Sequence, residues 1–395
     1  MRPIREVVIA SGVRTAIGEF GGTLRDVPAS ELGVIVAKEA MKRANVNPED
    51  IQDVIFGHCM MRTDEINIAR VIGLKAGIPF TVPGVTIQRQ CASGMQAIIF
   101  AAQQIMCEEN DIVLAGGTEN MSRIPFVAYE MRWGKRLRHS KFVDALWEGL
   151  TDPVVGLIMG LTAENLAEKY NISREEQDEI AYRSHKNAVN AIKTGRFKDE
   201  IVPVEVKQKK KTIVFDTDER PREDVSLEVL AKLPPVFKEG GTVTAGNASG
   251  INDGAAAVVV MWEGEAAKRG IKPLARIISH AVAAVEPELM GYGPVPAVRK
   301  ALERANLALD DIELWEINEA FAAQYLAVEK LLGLNREIVN VNGSGIALGH
   351  PVGCTGTRIV VSLIYEMIKR DLTIGCAALC VGGGMGKAVI IERIK

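Results

Sequence analysis

The chain has 395 residues, 47% of them hydrophobic and 25% charged, which describes a soluble protein too long for one ordinary small core. A formal net charge of −3 and an aromatic content of 5% give no case for binding nucleic acid or an anionic membrane. The six Cys (59, 91, 107, 354, 376 and 380) contain no CxxC pair, which predicts reduced thiols and a cytoplasmic setting.

Met1 to Ala10 carries Arg2, Arg5 and Glu6 and runs into a strand pattern, which does not read as a signal peptide. Glu6 to Ser11 reads as a strand. Val27 to Ala44, with Leu32, Val36, Ala40 and Ala44 about one turn apart, reads as an amphipathic helix. Val54 to Gly57 is a short strand and Ile66 to Ala76 a helix. A β-like run, Val82 to Ile87, precedes a helical one, Met95 to Cys107. Asp111 to Ala115 is a strand that Gly116-Gly117 closes. This alternation predicts a layered α/β domain.

From about Asn120 the pattern changes. Met121 to Leu150 has few clean periods. Ala163 to Thr194 reads as strongly helical, with Ser173-Arg174-Glu175-Glu176 as a capping box. Lys207 to Lys211 is a basic run, in which Lys209, Lys210 and Lys211 read as a solvated loop rather than a phosphate site, and Asp216 to Asp224 reads as a charged loop. Thr242 to Asp253 is a polar loop of small residues, and Gly254 to Met261 an apolar helix or strand. The run Ala255 to Trp262 is too short to span a bilayer.

After Pro273 the α/β pattern returns, and with it a repeat. Ala37-x-x-Ala40-x-x-Arg43-Ala44-Asn45, followed by Asp50-Ile51, recurs 261 residues later as Val298-x-x-Ala301-x-x-Arg304-Ala305-Asn306, followed by Asp311-Ile312. Leu114-Ala115-Gly116-Gly117 matches Cys380-Val381-Gly382-Gly383. Two similar α/β halves are therefore expected, with an insertion between them. The expected boundaries are 1–120 with 251–271 for the first half, 121–250 for the inserted loop domain, and 272–395 for the second half.

A site between such halves draws loops from both. In the first half, Cys91 opens a helix between small neighbours, where helix-terminal N–H groups favour a thiolate. A lone Cys is more often a small core residue, so the case for a nucleophile rests on partners. In the second half, His350 is held between Gly349 and Pro351, which fixes its backbone, unlike His58, His139, His185 and His280. Cys380 ends the strand Gly375 to Leu379. The glycines Gly382 to Gly384 leave N–H groups free beside its thiol, as an oxyanion hole requires. A zinc site from His350, Cys354, Cys376 and Cys380 is disfavoured, because four residues along a strand span about 13 Å. Gly382 to Lys387 lacks the spacing and the Ser/Thr of a P-loop.

Cys91-Ala92-Ser93-Gly94, Gly246-Asn247-Ala248-Ser249-Gly250-Ile251-Asn252-Asp253-Gly254, Asn318-Glu319-Ala320-Phe321, Gly349-His350-Pro351 and Cys380 to Gly386 occur in this order in thiolases, and the whole chain resembles that family. The resemblance implies a five-layered fold of two α/β halves, a homodimer or homotetramer, and acyl-CoA chemistry of the β-oxidation kind. It implies no permanently bound cofactor and no metal, with CoA and acyl-CoA as substrates. It also implies roles: Cys91 as acyl carrier, His350 as its base, and Cys380 as the acid or base at C2. Asn318 through a water joins His350 in one oxyanion hole, and the N–H groups of Cys91 and Gly382 form the other. Ser249 and Gly250 resemble pantetheine contacts. Met159, Met290, Ala320 and Phe321 resemble the apolar lining, and Arg222 stands where the family has an arginine near the adenine. Ile158 stands where short-chain members typically have His, which favours a broader range of 3-ketoacyl tails. Two alternatives are a condensing enzyme of the ketoacyl synthase type and an acyl-CoA-binding subunit of a β-oxidation complex. Cys380 at the third catalytic position argues against the former, and the intact Cys91, His350 and Cys380 against the latter.

Overall fold

The computed structural model describes residues 5–208 and 211–395. The first half contributes β1 (Val7–Thr15), α1 (Ala29–Arg43), β2 (Asp53–Gly57), α2 (Ile68–Ala76), β3 (Gly84–Ile87), α3 (Ser93–Met106) and β4 (Ile112–Asn120). The excursion carries α4 (Met159–Lys169) and α5 (Arg174–Lys193). The chain then returns as β5 (Asn252–Trp262) and enters the second half with β6 (Ala275–Ala284), α6 (Pro294–Ala305) and β7 (Leu314–Ile317). It closes with α7 (Ala322–Leu332), α8 (Val352–Arg370), β8 (Ile374–Val381) and β9 (Met385–Arg393).

The strands run in the order β7-β8-β9-β6-β1-β5-β4-β2-β3, and the halves meet where β1 pairs with β6. Trp315 of β7 also bridges Val339 in parallel. Counting that bridge as a strand, both halves share one order: third, second, fourth, fifth, first. The repeat persists in detail, since Asn45 and Asn306 both leave their helices in the left-handed region, at φ 52° and 54°. Asparagine tolerates that conformation better than most residues.

Side-chain alternation along the strands divides the core into layers. In β1, Val8 and Ala10 face a cluster with α1 and α2, while Val7 and Ile9 face a central cluster with α3 and α8. In β8, Ala377, Leu379 and Val381 join that central cluster, whereas Cys376, Ala378 and Cys380 face α6 and α7. Helices α3 and α8 are thus the middle layer of five.

Several local expectations give way to tertiary demands. Gly116 and Gly117 do not end their strand, because β4 continues to Asn120. A Cβ on Gly117 would overlap Gly353 O and crowd Gly94 Cα, so the glycine serves close approach between layers rather than a turn. The helical run from Ala163 breaks at Tyr170–Ser173 into α4 and α5, and Ser173 with Glu176 forms the capping box that restarts it. Gly254 to Met261 is strand. Residues 204–208 and 211–215 pair as antiparallel strands, which puts Lys207 and Lys211 on strands, and Lys209 and Lys210 lie outside the described residues. Asp218, within the expected charged loop, is buried against Arg14. No helix among the described residues is long and apolar enough to cross a membrane.

Residues 197–215 of the excursion join the core of the first half, but its helices pack on the second. Helix α4 lies against α7, and α5 against residues 345–348. The loop 242–251 is stitched to the segment before α7. Ser249 N–H donates to Ala320 O at 2.9 Å, Ala322 N–H to Asn247 O at 2.9 Å, and Ala248 bridges Phe321. Excursion and second half therefore form two walls of one cleft.

Candidate active site

Helices α3 and α8 occupy equivalent places in the two halves, and each carries a candidate residue just before its first turn. Their N-terminal ends approach closely, because a Cβ on Gly94 would meet Thr357 Oγ1 and Gly353 O. That approach brings Cys91 and His350 to the wall of one cavity of about 370 Å³, which Cys380 also lines. Met159, Ser249, Gly250, Met290, Ala320 and Phe321 line the same cavity. Trp147, Arg220, Val236 and Phe237 line it too, although motif and spacing did not single them out. Phe237 packs edge-on against Phe321, with ring centroids 6.2 Å apart.

Cys91 follows a strained turn. Gln90 has φ +43°, a conformation that costs a non-glycine residue about 1–3 kcal/mol. Ser93 pays for it locally: its Oγ donates to Gln90 O at 2.6 Å and accepts from Arg89 N–H at 2.8 Å. The result is a partly buried thiol whose sulfur is met by two backbone N–H groups, its own and that of Gly382. Even so, burial outweighs those donors and pushes the Cys91 thiol up to about 11. The expected helix-terminal lowering of this pKa is thus overturned: α3 begins only at Ser93, and desolvation dominates.

His350 is anchored at its backbone and at one ring edge. Its N–H donates to Asn252 Oδ1 at 2.9 Å, and Asn252 Nδ2 donates to Gly18 O at 3.0 Å. Gly349 turns at φ +105°, where a Cβ would strike the same Asn252 amide. His350 Nδ1 lies 2.7 Å from Thr355 Oγ1, whose hydroxyl donates to Pro351 O at 2.9 Å. With that hydroxyl proton on Pro351 O, Thr355 Oγ1 can accept from an Nδ1 hydrogen, the tautomer that leaves the Nε2 lone pair free. Nε2 is buried and has no protein partner. Burial, then Arg358, lowers His350 to about 3, so the ring is neutral at physiological pH and able to accept a proton.

Cys380 is fully buried on β8. Burial, and then the neighbouring Cys91, hold its thiol well above the ordinary range, so it rests protonated. Beyond it, Gly383 and Gly384, at φ +84° and +77°, turn the chain into β9 and leave Gly382 N–H facing Cys91.

Three expected residues lie off this cavity, and one of them, Gly382, lines a neighbouring space that also reaches Cys91. Asn318 is fully buried behind His350, with Nδ2 3.5 Å from Nδ1 and Oδ1 unpartnered. Arg222 is exposed, and its N–H donates to His185 Nδ1 at 3.2 Å. The arginine that lines the cavity is Arg220, held by Ile346 O and Ala248 O. A second brace is Glu119, whose carboxylate accepts from the N–H groups of Cys59 and Gly353, both at 2.9 Å, and so ties the start of α8 to the first half. Among the described residues, no cluster of three or more His, Cys, Asp or Glu side chains could hold a metal ion.

Residues 7–264 match the family described as thiolase, N-terminal domain, and residues 271–393 match thiolase, C-terminal domain. Acetyl-CoA acetyltransferase of Syntrophomonas wolfei is 53% identical over 395 residues, covering 99% of this chain and 100% of that protein. Beta-ketothiolase BktB of Cupriavidus necator is 50% identical over 392 residues, with 99% and 100% covered. The crystal structure of the Bacillus anthracis acetyl-CoA acetyltransferase superposes with a TM-score of 0.98 at 55% identity, covering 99% of each chain. Human mitochondrial 3-ketoacyl-CoA thiolase in complex with CoA gives 0.96 at 45% identity, again over 99% of each chain. With both of its halves matched and these relatives aligned nearly end to end, the chain belongs to the thiolase family.

Proposed function

We propose that this thiolase works by a ping-pong cycle through an acyl thioester on Cys91, with His350 and Cys380 moving the protons. The carrying observation is the convergence of Cys91, His350 and Cys380, from three distant segments, on one cavity wall.

In cleavage, Cys91 Sγ attacks the C3 carbonyl of a 3-ketoacyl-CoA while its proton passes to His350 Nε2. The C3 oxygen gathers charge, and the N–H groups of Cys91 and Gly382, already aimed at Sγ, take it up. The C2–C3 bond then breaks. Its electron pair stays on C2, which takes the proton of Cys380 as acetyl-CoA departs. During that step negative charge spreads to the thioester oxygen, where the newly protonated Nε2 donates, with Asn318 acting through a water. CoA then gives up its thiol proton to the Cys380 thiolate and takes the acyl group from Cys91, whose departing thiolate recovers its proton from His350 Nε2. Condensation of two acetyl-CoA molecules is the same path reversed. Throughout, Thr355 positions His350 so that its free nitrogen is the one facing substrate.

The rest of the cavity suits the arm of CoA. Ser249 and Gly250 offer polar contacts to pantetheine amides, and Met159, Met290, Ala320, Phe237 and Phe321 an apolar channel. Exposed Arg222 supplies a cation beyond the channel, toward the adenine end.

The test is direct. Mixed with acetyl-CoA alone, the enzyme should gain one acetyl group by intact-protein mass spectrometry, and Cys91→Ala should gain none. An adduct that persists in Cys91→Ala means that the nucleophile lies elsewhere.

A further inference from the structure

We propose that Arg358 is a positioning residue for His350 and Asn318: its buried charge stands behind that pair and favours the negative charge that gathers on the thioester oxygen. The inference rests on His350 and Asn318 forming one oxyanion hole.

The placement follows from two periodicities. Glu316 lies on β7 and Asn318 just past its end, where Asn318 N–H still donates to Ala378 O at 3.0 Å. The chain there stays extended, so the two side chains look to one face. Thr355 and Arg358 are three residues apart on α8 and also share a face. These faces meet twice. Beside the cavity, Asn318 Nδ2 lies 3.5 Å and Thr355 Oγ1 2.7 Å from His350 Nδ1. One rung deeper, Arg358 Nη1 lies 3.8 Å from Glu316 Oε2.

The deeper rung is not built as a structural ion pair. Arg358 is fully buried, and its Nε, Nη1 and Nη2 make no hydrogen bond among the described residues. Arg14, on β1, is equally buried but bonds both Glu200 and Asp218. A guanidinium stays charged, and burying one without bonds costs stability, so packing alone does not account for Arg358. Its neighbours leave the charge standing. Glu200 is taken by Arg14 and by Ser362 Oγ, which donates to it at 3.1 Å. Burial outweighs the pull of Arg358 and pushes Glu316 up to about 8. Cys354, on the same helix, is a buried thiol pushed up to about 12 and carries no charge at neutral pH. The charge reaches the site: after burial, Arg358 is what keeps the His350 ring neutral at rest.

In the proposed cycle, charge appears on the thioester oxygen only while the C2–C3 bond breaks or forms. A fixed cation behind the hydrogen-bond donors favours that state over the uncharged substrate, so its effect falls on turnover and not on binding. It also makes the protonated ring a stronger donor, because the ring then holds its proton less tightly.

The experiment separates charge from packing. Glu316→Gln leaves the cation in place and should keep kcat for acetoacetyl-CoA cleavage within about twofold. Adding Arg358→Met should cut kcat and the exchange of acetyl-CoA C2 hydrogens at least about tenfold, the scale of one charge beside a buried group, with KM within about twofold. In the same comparison the urea midpoint should rise, since an unbonded buried charge has given way to an apolar chain. A packing role would lower rate and midpoint together. Arg358→Lys in the Glu316→Gln background should recover most of the rate. Normal exchange in the Arg358→Met double variant overturns the proposal, and so does a joint loss of rate and midpoint that Lys does not repair. If Glu316→Gln does not fold, Arg358→Met and Arg358→Lys alone give the same comparison. His350→Ala, run alongside, keeps the two readings apart. Normal exchange in His350→Ala means that the oxyanion hole lies elsewhere, whereas failure there beside normal exchange in the Arg358→Met variant sinks only the role of Arg358.

Discussion

Thr355 holds the proton side of His350: its Oγ1 lies 2.7 Å from Nδ1 and passes its own hydrogen to Pro351 O. The arrangement leaves Nε2 as the acceptor that a thiol nucleophile needs. It also couples the His350 ring to the first turn of α8, so ring orientation is as fixed as the helix.

Thr355→Val keeps the shape of the side chain and deletes the hydroxyl. The Nδ1 proton then loses its acceptor and the ring is free to adopt the other tautomer. Acylation of the enzyme by acetyl-CoA should slow about tenfold or more, the worth of one ~1.5 kcal/mol hydrogen bond, and Thr355→Ser should restore most of it. The ¹⁵N shifts of the His350 ring should report a changed tautomer mixture in the Val variant alone. Unchanged shifts and an equal loss in both variants would make Thr355 a packing residue.

Cys91 gives a pH prediction. Because burial raises its thiol to about 11 and His350 stays neutral, the resting pair is thiol and imidazole, not an ion pair. Only the thiolate reacts with iodoacetamide, so alkylation of Cys91 should climb about tenfold per pH unit between pH 7 and 10. Levelling near neutrality would instead mean a preformed thiolate.

How much of this was open to reading depended on distance along the chain. Gly349-His350-Pro351 and the glycines after Cys380 are local patterns, and the backbone there does what glycine and proline demand. The 261-residue repeat likewise survives in the matching left-handed Asn45 and Asn306. Partners far apart were silent. Asn252 supports His350 across 98 residues, and no spacing rule joins them. Gln90 gives no composition signal for its positive φ, because Ser93 and the packed helix impose it. Gly116-Gly117 misled because glycine marks both turns and close approach, and only the neighbouring layer decides which. The thiol pKa misled for a related reason: the helix terminus is local, whereas desolvation comes from every element packed around the sulfur.

The excursion is held to the first half by a buried ion cluster. Arg14, on β1, is fully buried, with Nε 2.6 Å from Glu200 and Nη1 2.7 Å from Asp218. Arg14→Met should therefore destabilise the fold by about 3–5 kcal/mol, because two carboxylates are left buried without a counter-charge. Urea unfolding would measure it, and a loss below about 1 kcal/mol would mean that the carboxylates find water or take up protons cheaply.

The two thiols, Cys91 and Cys380, should separate by half-reaction. Both rest protonated, yet they differ in surroundings. Cys91 has two N–H donors at its sulfur and lines two neighbouring cavities, whereas Cys380 is buried on β8 and lines only the one that His350 shares. Transfer of an acetyl group onto Cys91 requires no proton movement at C2. Cleavage and condensation do require it, and Cys380 is the thiol placed for it. Cys380→Ser preserves the shape and makes the acid far weaker. The variant should still form acetyl-Cys91, while cleavage of acetoacetyl-CoA and exchange of the acetyl-CoA C2 hydrogens fall by about 10²–10⁴-fold, the usual worth of a general acid or base. His350→Ala should slow acylation and exchange together, because the same Nε2 takes the Cys91 proton and then donates to the enolate oxygen. Deuterium exchange followed by NMR distinguishes the variants. Near-normal exchange in Cys380→Ser would remove Cys380 from proton transfer and leave it a packed residue at the end of β8.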